Sequence, residues 1–366
     1  MNIIEYARIC SKTFEEEPFN RMDALVLSQL AYTKYEAAAD IVGDSQPLRD
    51  WYRGEYFDVY FSDGMTDDQN REMLAAAVAS RRYRNILLCN LVSTTDESTG
   101  EQFAAMTFGL TDNLSFVSFR GTDGSLVGWK EDCRMTFRER VPAQKSAVDY
   151  INNLCANHDA GKGQVIIGGH SKGGNLAVYG AAFCDEEYQK RIVDVYSIDG
   201  PGFIEQVSDR IDRRIKAAGL NIIRIMPHNS VVGMLMESSG DYLVVKSNTI
   251  GLMQHILYTW QIEDGDLVFV DKLSLRSRYL DRTMRDWFKV ATEKQRETFV
   301  MTFFGVLENA DIQVLSDFQK LRFKDVVGMI SEFKSCDEET AKVLEGMFKA
   351  LIKSAAKQVI STEHNS

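Results

Sequence analysis

A run of apolar and β-branched residues, Val165-Ile166-Ile167, breaks into Gly168-Gly169-His170-Ser171-Lys172-Gly173-Gly174 and then into the helix-forming Asn175-Leu176-Ala177. This is Gly-x-Ser-x-Gly between strand and helix, the setting in which the pentapeptide becomes a nucleophile elbow. The geometry it demands is narrow. A serine on so sharp a turn takes a strained backbone, and side chains at Gly169 and Gly173 would collide with neighbouring chain. The turn lifts the Ser171 hydroxyl above the sheet and leaves backbone N–H groups at the helix start facing any negative charge that develops. A plain glycine-rich turn is the alternative; the strand before and the alanine-rich helix after favour the elbow.

The rhythm of the chain supplies the frame. Residues 2–42 read as helical, with apolar positions at helical spacing through Met22–Tyr32. Residues 43–82 are polar and mixed, with a short helix around Met73–Ala79. Strands Ile86–Val92, Phe103–Leu110 and Leu114–Phe119, separated by turn-forming residues, predict an antiparallel meander. Strand and helix then alternate: helix Ala143–Cys155, strand Gln164–Ile167, helix Asn175–Cys184, strand Val193–Ile198, helix Phe203–Ala218, and strands Ile222–Met226 and Tyr242–Lys246. Apolar strands alternating with helices imply a mostly parallel sheet covered on both faces. An antiparallel lead-in with the nucleophile strand near the middle is the order of an α/β-hydrolase fold. From about residue 275 only amphipathic helices are legible, as at Glu297–Leu307 and Ala341–Ile352. The expected organisation is therefore a hydrolase domain over 1–274, N-terminal helices included, and a helical extension or cap over 275–366.

Bulk properties narrow the partners. Lysine and arginine number 42 against 53 acidic residues, a net charge of −11, which disfavours nucleic acid or an anionic membrane as the main partner. No segment has the layout of a signal peptide or an apolar run long enough to span a bilayer. The six cysteines lack Cys-x-x-Cys spacing and read as free thiols in a reducing compartment, so a cytoplasmic protein is expected.

A serine hydroxyl needs a base held by a carboxylate. Five histidines allow elimination. His364 is in the tail, His158 precedes the nucleophile strand on the wrong edge of the sheet, and the His170 side chain should diverge from its neighbour Ser171. His228 occupies a slot where an acid is more usual, whereas His255 follows the last core strand and fits the base. For the acid, Asp199 in Ser197-Ile198-Asp199-Gly200-Pro201-Gly202-Phe203 ends the strand after the nucleophile helix. It lies on the same edge as Ser171, its direction set by the Gly-Pro-Gly turn. Its other reading is a cap for the following helix. For the oxyanion, Arg120-Gly121-Thr122 offers the Thr122 N–H and hydroxyl, and the second donor is the Lys172 N–H. The Lys172 ammonium is expected in a salt bridge with Asp123 or Asp132, and Trp129 in core packing. Met234-Leu235-Met236 and Ile250-Gly251-Leu252-Met253 either line an acyl pocket or pack.

Phe119-Arg120-Gly121-Thr122-Asp123 and Gly128-Trp129-Lys130-Glu131-Asp132 resemble the Arg-Gly-Thr and Trp…Asp segments of class 3 (fungal-type) lipases. With the elbow and Ile198-Asp199-Gly200-Pro201-Gly202-Phe203, the pattern looks closest to the bacterial Mbeg1-like family of the α/β-hydrolase superfamily. In class 3 lipases the triad aspartate follows the next strand, in Asn-Asp-x-Val-Pro; the comparable stretch here is Asn229-Ser230-Val231-Val232-Gly233. Either the acid has moved to Asp199, as in lipases of the pancreatic type, or the triad is incomplete; the rigid turn favours the move. The expected function is a serine hydrolase of a small-molecule or lipid-like ester with Ser171, His255 and Asp199 as triad, Thr122 and Lys172 at the oxyanion, and no metal or organic cofactor. The alternatives are a thioesterase or peptidase, or a non-catalytic hydrolase-like scaffold that binds a partner.

Overall fold

The structure, a computed structural model, describes residues 1–271 apart from 63–65, 124, 158–161, 231, 239 and 250, together with Leu273, Thr292, Glu338 and Ala341. The expected C-terminal helical extension, His158 and His364 lie outside the described residues, as does the Trp129 side chain.

The N-terminal segment divides at its caps. α1 (Ile3–Ile9) starts at Asn2 and α2 (Arg21–Leu30) at Asn20. Each asparagine accepts backbone N–H bonds, and Glu5 or Asp23 bonds back to the cap residue. Short turns of helix follow, including α3 (Ala39–Val42), then a two-residue strand β1 (Gln46–Pro47), α4 (Phe57–Tyr60) and α5 (Asp67–Ala79). The expected meander forms as β2 (Leu87–Asp96), β3 (Glu101–Thr111) and β4 (Leu114–Phe119). Beyond it run α6 (Leu126–Arg134), α7 (Pro142–Asn157), β5 (Gln164–His170), α8 (Lys172–Phe183), α9 (Glu186–Gln189), β6 (Ile192–Ile198), α10 (Glu205–Ala218), β7 (Ile222–Pro227) and β8 (Tyr242–Val245). A small ribbon, β9 (Ile262–Glu263) with β10 (Asp266–Leu267), closes the described region. The two-residue strands and α6 went unpredicted, because elements so short or so polar carry no clear period.

One eight-stranded sheet holds β1 to β8 in chain order, antiparallel through β4 and parallel from β4 to β8. That order has a consequence. Successive parallel strands step in one direction, so right-handed crossovers put their helices on a single face. The core on that face accordingly gathers residues of α7, α8 and α10, such as Ile151, Leu176 and Ile211. The opposite face would be bare. It is covered by the N-terminal helices, whose Ile4, Leu25, Leu27 and Leu74 pack with Phe116, Ile166 and Tyr196 of the sheet. Both faces of β5 are thereby buried, which explains its uninterrupted apolar character.

Candidate active site

β5 ends at His170 and α8 begins at Lys172, so Ser171 alone makes the turn. Its backbone sits at φ 59°, ψ −130°, a strained conformation for a non-glycine residue. A Cβ at Gly169 would overlap the Gly173 carbonyl, and one at Gly173 would overlap the Phe119 carbonyl oxygen. The two glycines are therefore what lets helix and strand close on the turn. The Ser171 N–H donates to the Ile198 carbonyl (3.0 Å), tying the elbow to the end of β6.

The next residue of β6's edge is Asp199, 1 % exposed and at φ 45°. Helix α10 begins at Glu205 with Ile204 in the cap position, so Asp199 does not cap it. Its carboxylate instead reaches across to the loop after β8. His255 Nδ1 donates to Asp199 Oδ2 at 2.6 Å, which leaves Nε2 as the imidazole's free acceptor. The other oxygen, Oδ1, accepts from the Ser230 hydroxyl (2.5 Å) and the Gly233 N–H (3.2 Å). Ser230 thus stands at the place the resemblance reserved for an acid and donates to one. His255 ends a single helical turn, Gly251–His255. That turn is fixed by buried Gln254, which accepts the Asn229 N–H and donates to the Thr249 carbonyl, while its own carbonyl accepts from Trp260.

Arg120 secures the oxyanion-type loop. Its guanidinium bonds both oxygens of Glu36 and the carbonyls of Ala31 and Thr33, clamping the end of β4 to the end of α2. The Thr122 hydroxyl donates to Asp132 Oδ2 (2.5 Å) and is committed there, so of the two expected donor groups of Thr122 only the N–H is not engaged by Asp132. Lys172 opens α8, so its N–H has no acceptor within the helix. Its side chain runs the other way into the core, where the ammonium donates to the Gln102 carbonyl (2.6 Å), Gln102 Oε1 (2.5 Å) and Glu131 (3.0 Å). Of the expected partners Asp132 does form a salt bridge with it, at 3.9 Å, but the closer carboxylate is Glu131, which the sequence reading did not name. Burial pushes the Asp132 carboxyl up to about 6, against the pull of Lys172 and Thr122.

Sequence reasoning missed His170. Its side chain does leave Ser171, but it lodges under His255: the rings lie 4.4 Å apart, and His170 Nε2–H donates to the His255 carbonyl at 2.8 Å. That bond fixes the tautomer, so Nδ1 accepts from the Tyr32 hydroxyl at 2.9 Å. Burial, then His255, holds His170 well below the ordinary histidine range. Strand alternation alone sends this side chain to the α2 face, but no local signal names Tyr32 as its partner. His228 instead meets Gln254 at 3.3 Å and does not touch Asp199.

Ser171, His255, Thr122 and Lys172 line one cavity of about 380 Å³, with Leu235 and Met236 on its wall. Ser171 and His255 are both partly exposed there, and no hydrogen bond joins the hydroxyl to the imidazole among the described residues. Among those residues no group of three or more His, Cys, Asp or Glu side chains could hold a metal ion, and no helix is long and apolar enough to cross a membrane.

A parallel sheet entered by antiparallel strands, with a strained serine at a strand–helix turn, defines an α/β-hydrolase fold. The profile of the Mbeg1-like family matches residues 77–305, and the chain belongs to that family. Among solved structures it is similar to the Rhizomucor miehei lipase propeptide complex, at 16% identity and a TM-score of 0.38 over 61% of this chain and 67% of that one. It is also similar to M37 lipase, at 11% identity and TM-score 0.36 over 74% and 80% of the two chains. A triacylglycerol lipase from Penicillium expansum shares 9% identity, with TM-score 0.34 over 69% and 83%. No curated protein matches the chain.

Proposed function

We propose that this chain is a serine hydrolase that cleaves a carboxylic ester. The observation that carries the reading is the 2.6 Å bond between His255 Nδ1 and buried Asp199 beside a cavity that Ser171 also lines. Ser171 Oγ attacks the acyl carbon while His255 Nε2 takes its proton. The alkoxide leaves with that proton, giving an acyl-enzyme, and a water activated by the same imidazole releases the acid. Asp199 keeps His255 in the tautomer that exposes Nε2 and stabilises the imidazolium. The N–H groups of Thr122 and Lys172 hold the oxyanion. The Ser171–His255 contact that this step needs tightens when substrate arrives, as such bonds do. Residues 1–274 form the catalytic unit in this proposal; the extension expected over 275–366 lies outside the described residues.

The same constellation serves a thioester or an amide. A non-catalytic scaffold, by contrast, has no use for a buried carboxylate oriented on an imidazole in a cavity. Labelling with a fluorophosphonate probe tests the reading. Ser171 takes the label in the native protein, and Ser171→Ala abolishes labelling and lowers kcat by about six orders of magnitude. Native protein that stays unlabelled, or a Ser171→Ala variant that labels equally well, overturns it.

A further inference from the structure

The turn that carries His255 has little of its own to hold it. It is five residues long, Gly251–His255, and it follows β8, the strand at one edge of the sheet. Asp199 fixes one ring nitrogen, and Gln254 fixes the turn one residue earlier. Neither belongs to the strand that leads into Ser171. A base has to be placed against its nucleophile closely, since a displacement of ~1 Å costs about 100-fold in rate.

His170 does belong to that strand. It is the last residue of β5 and is joined to Ser171 by the peptide link. Its Nε2–H donates to the His255 carbonyl at 2.8 Å. Its ring lies against the His255 imidazole, 4.4 Å between centroids and 33° between planes. The bond locates the His255 backbone and the ring contact limits its side chain, both measured from the neighbour of the nucleophile.

His170 is itself held. The Tyr32 hydroxyl donates to its Nδ1 at 2.9 Å. Burial keeps the phenol protonated; burial and then the charge of His255 keep His170 neutral, with one donor and one acceptor nitrogen. The Tyr32 oxygen lies against Gly121, where a Cβ would overlap it. Arg120 binds the carbonyls on either side of Tyr32, those of Ala31 and Thr33. One file of contacts thus runs from the loop of Arg120 and Gly121 through Tyr32 and His170 to His255.

We propose that His170, held by Tyr32, is a positioning residue that sets His255 against Ser171. The inference rests on the serine-hydrolase reading and adds to it the support that the Asp199 bond does not supply. It acts on the chemical step, because neither side chain is needed to bind the acyl group.

Turnover of p-nitrophenyl butyrate, divided by the number of sites that a fluorophosphonate labels, separates position from folding. His170→Phe keeps a ring under His255 and removes both hydrogen bonds. It labels fully but slowly, and kcat falls about 10- to 100-fold with KM within about twofold. His170→Gln, which places an amide donor where Nε2 stood, recovers most of that loss. Tyr32→Phe lowers kcat severalfold. Val26→Ala trims a fully buried side chain of α2, lowers the melting temperature and leaves kcat per labelled site as it was. Native kcat per labelled site in His170→Phe or Tyr32→Phe, a His170→Gln variant as slow as His170→Phe, or an equal loss in Val26→Ala overturns the proposal. Native protein that takes no label strikes the hydrolase reading instead, so the two failures are distinct.

Discussion

At Asp199 one carboxylate has both oxygens assigned: Oδ2 to His255, Oδ1 to Ser230 and the Gly233 N–H. The positive φ that brings it there is tolerated because Asp199 N–H is also bonded, to the Ile225 carbonyl at 2.7 Å. The two groups on Oδ1 set the direction in which Oδ2 points. On the proposed mechanism, Asp199→Asn lets the imidazole take the wrong tautomer and lowers kcat by about four orders of magnitude. Ser230→Ala is the finer probe. It leaves Oδ1 with the weaker of its two donors, so kcat falls about tenfold with KM little changed, and stability drops by about 1–3 kcal/mol. Steady-state kinetics and urea unfolding on the same preparation read both effects. Unaltered kcat in Ser230→Ala would mean that Gly233 alone aims the carboxylate.

No sequence period announced α6, yet its carboxylates tie several parts of the site together. Glu131, fully buried, accepts the backbone N–H groups of Gln102 and Ala143 as well as the Lys172 ammonium, so one carboxylate ties β3, α7 and α8 to α6. Asp132, one residue on, holds Thr122. The side chains of Thr122 and Lys172, the proposed oxyanion donors, are therefore both held by the same helix. Replacing Glu131 by Gln strands a buried ammonium without its counter-charge and costs about 3–5 kcal/mol, seen as a lower midpoint in chemical denaturation. A Glu131→Leu, Lys172→Met double variant does not recover that loss, because it leaves the buried Gln102 and Ala143 N–H groups without their acceptor. If the single variant is as stable as the native chain, α6 is not the tie described.

For the whole molecule, the consequence of a sheet ordered along the chain is that its crossovers cover one face, and α1, α2 and α5 must cover the other. The N-terminal helices are therefore part of the fold, and through Tyr32 they reach His170 beneath the site. This coupling carries a pH signature. The folded His170 imidazole titrates well below 6.5, so between 6.5 and its folded value the unfolded chain binds a proton that the folded chain refuses. Stability from this residue is complete above pH 6.5 and declines on acidification, by at most about 1.4 kcal/mol per pH unit. Asp132 acts in the opposite direction, since a carboxyl raised to about 6 favours the folded state at low pH and loses that contribution as pH rises through 6. Comparison with His170→Phe isolates the histidine. The variant is less stable at pH 7, and its melting temperature falls less steeply between pH 6.5 and 5. Parallel melting curves across that range would exclude His170 as the source.

The elbow, the meander and the alternating strands and helices were legible because each depends on neighbours in sequence: glycines where a Cβ would collide, β-branched runs for buried strands, apolar spacing for helices. The same local reasoning narrowed the acid and the base to Asp199 and His255, since chain order and sheet edge follow from the fold. Tertiary structure decided what those residues meet. The sequence separations of 56 from Asp199 to His255, 41 from Glu131 to Lys172 and 138 from Tyr32 to His170 are closed by the packing of separate elements. No spacing rule encodes such pairs, because the distance between two side chains on different elements is set by how whole faces dock. His170 shows the difference most plainly: the sequence places it beside the serine, and only the docking of α2 against β5 sets it under the histidine of the site.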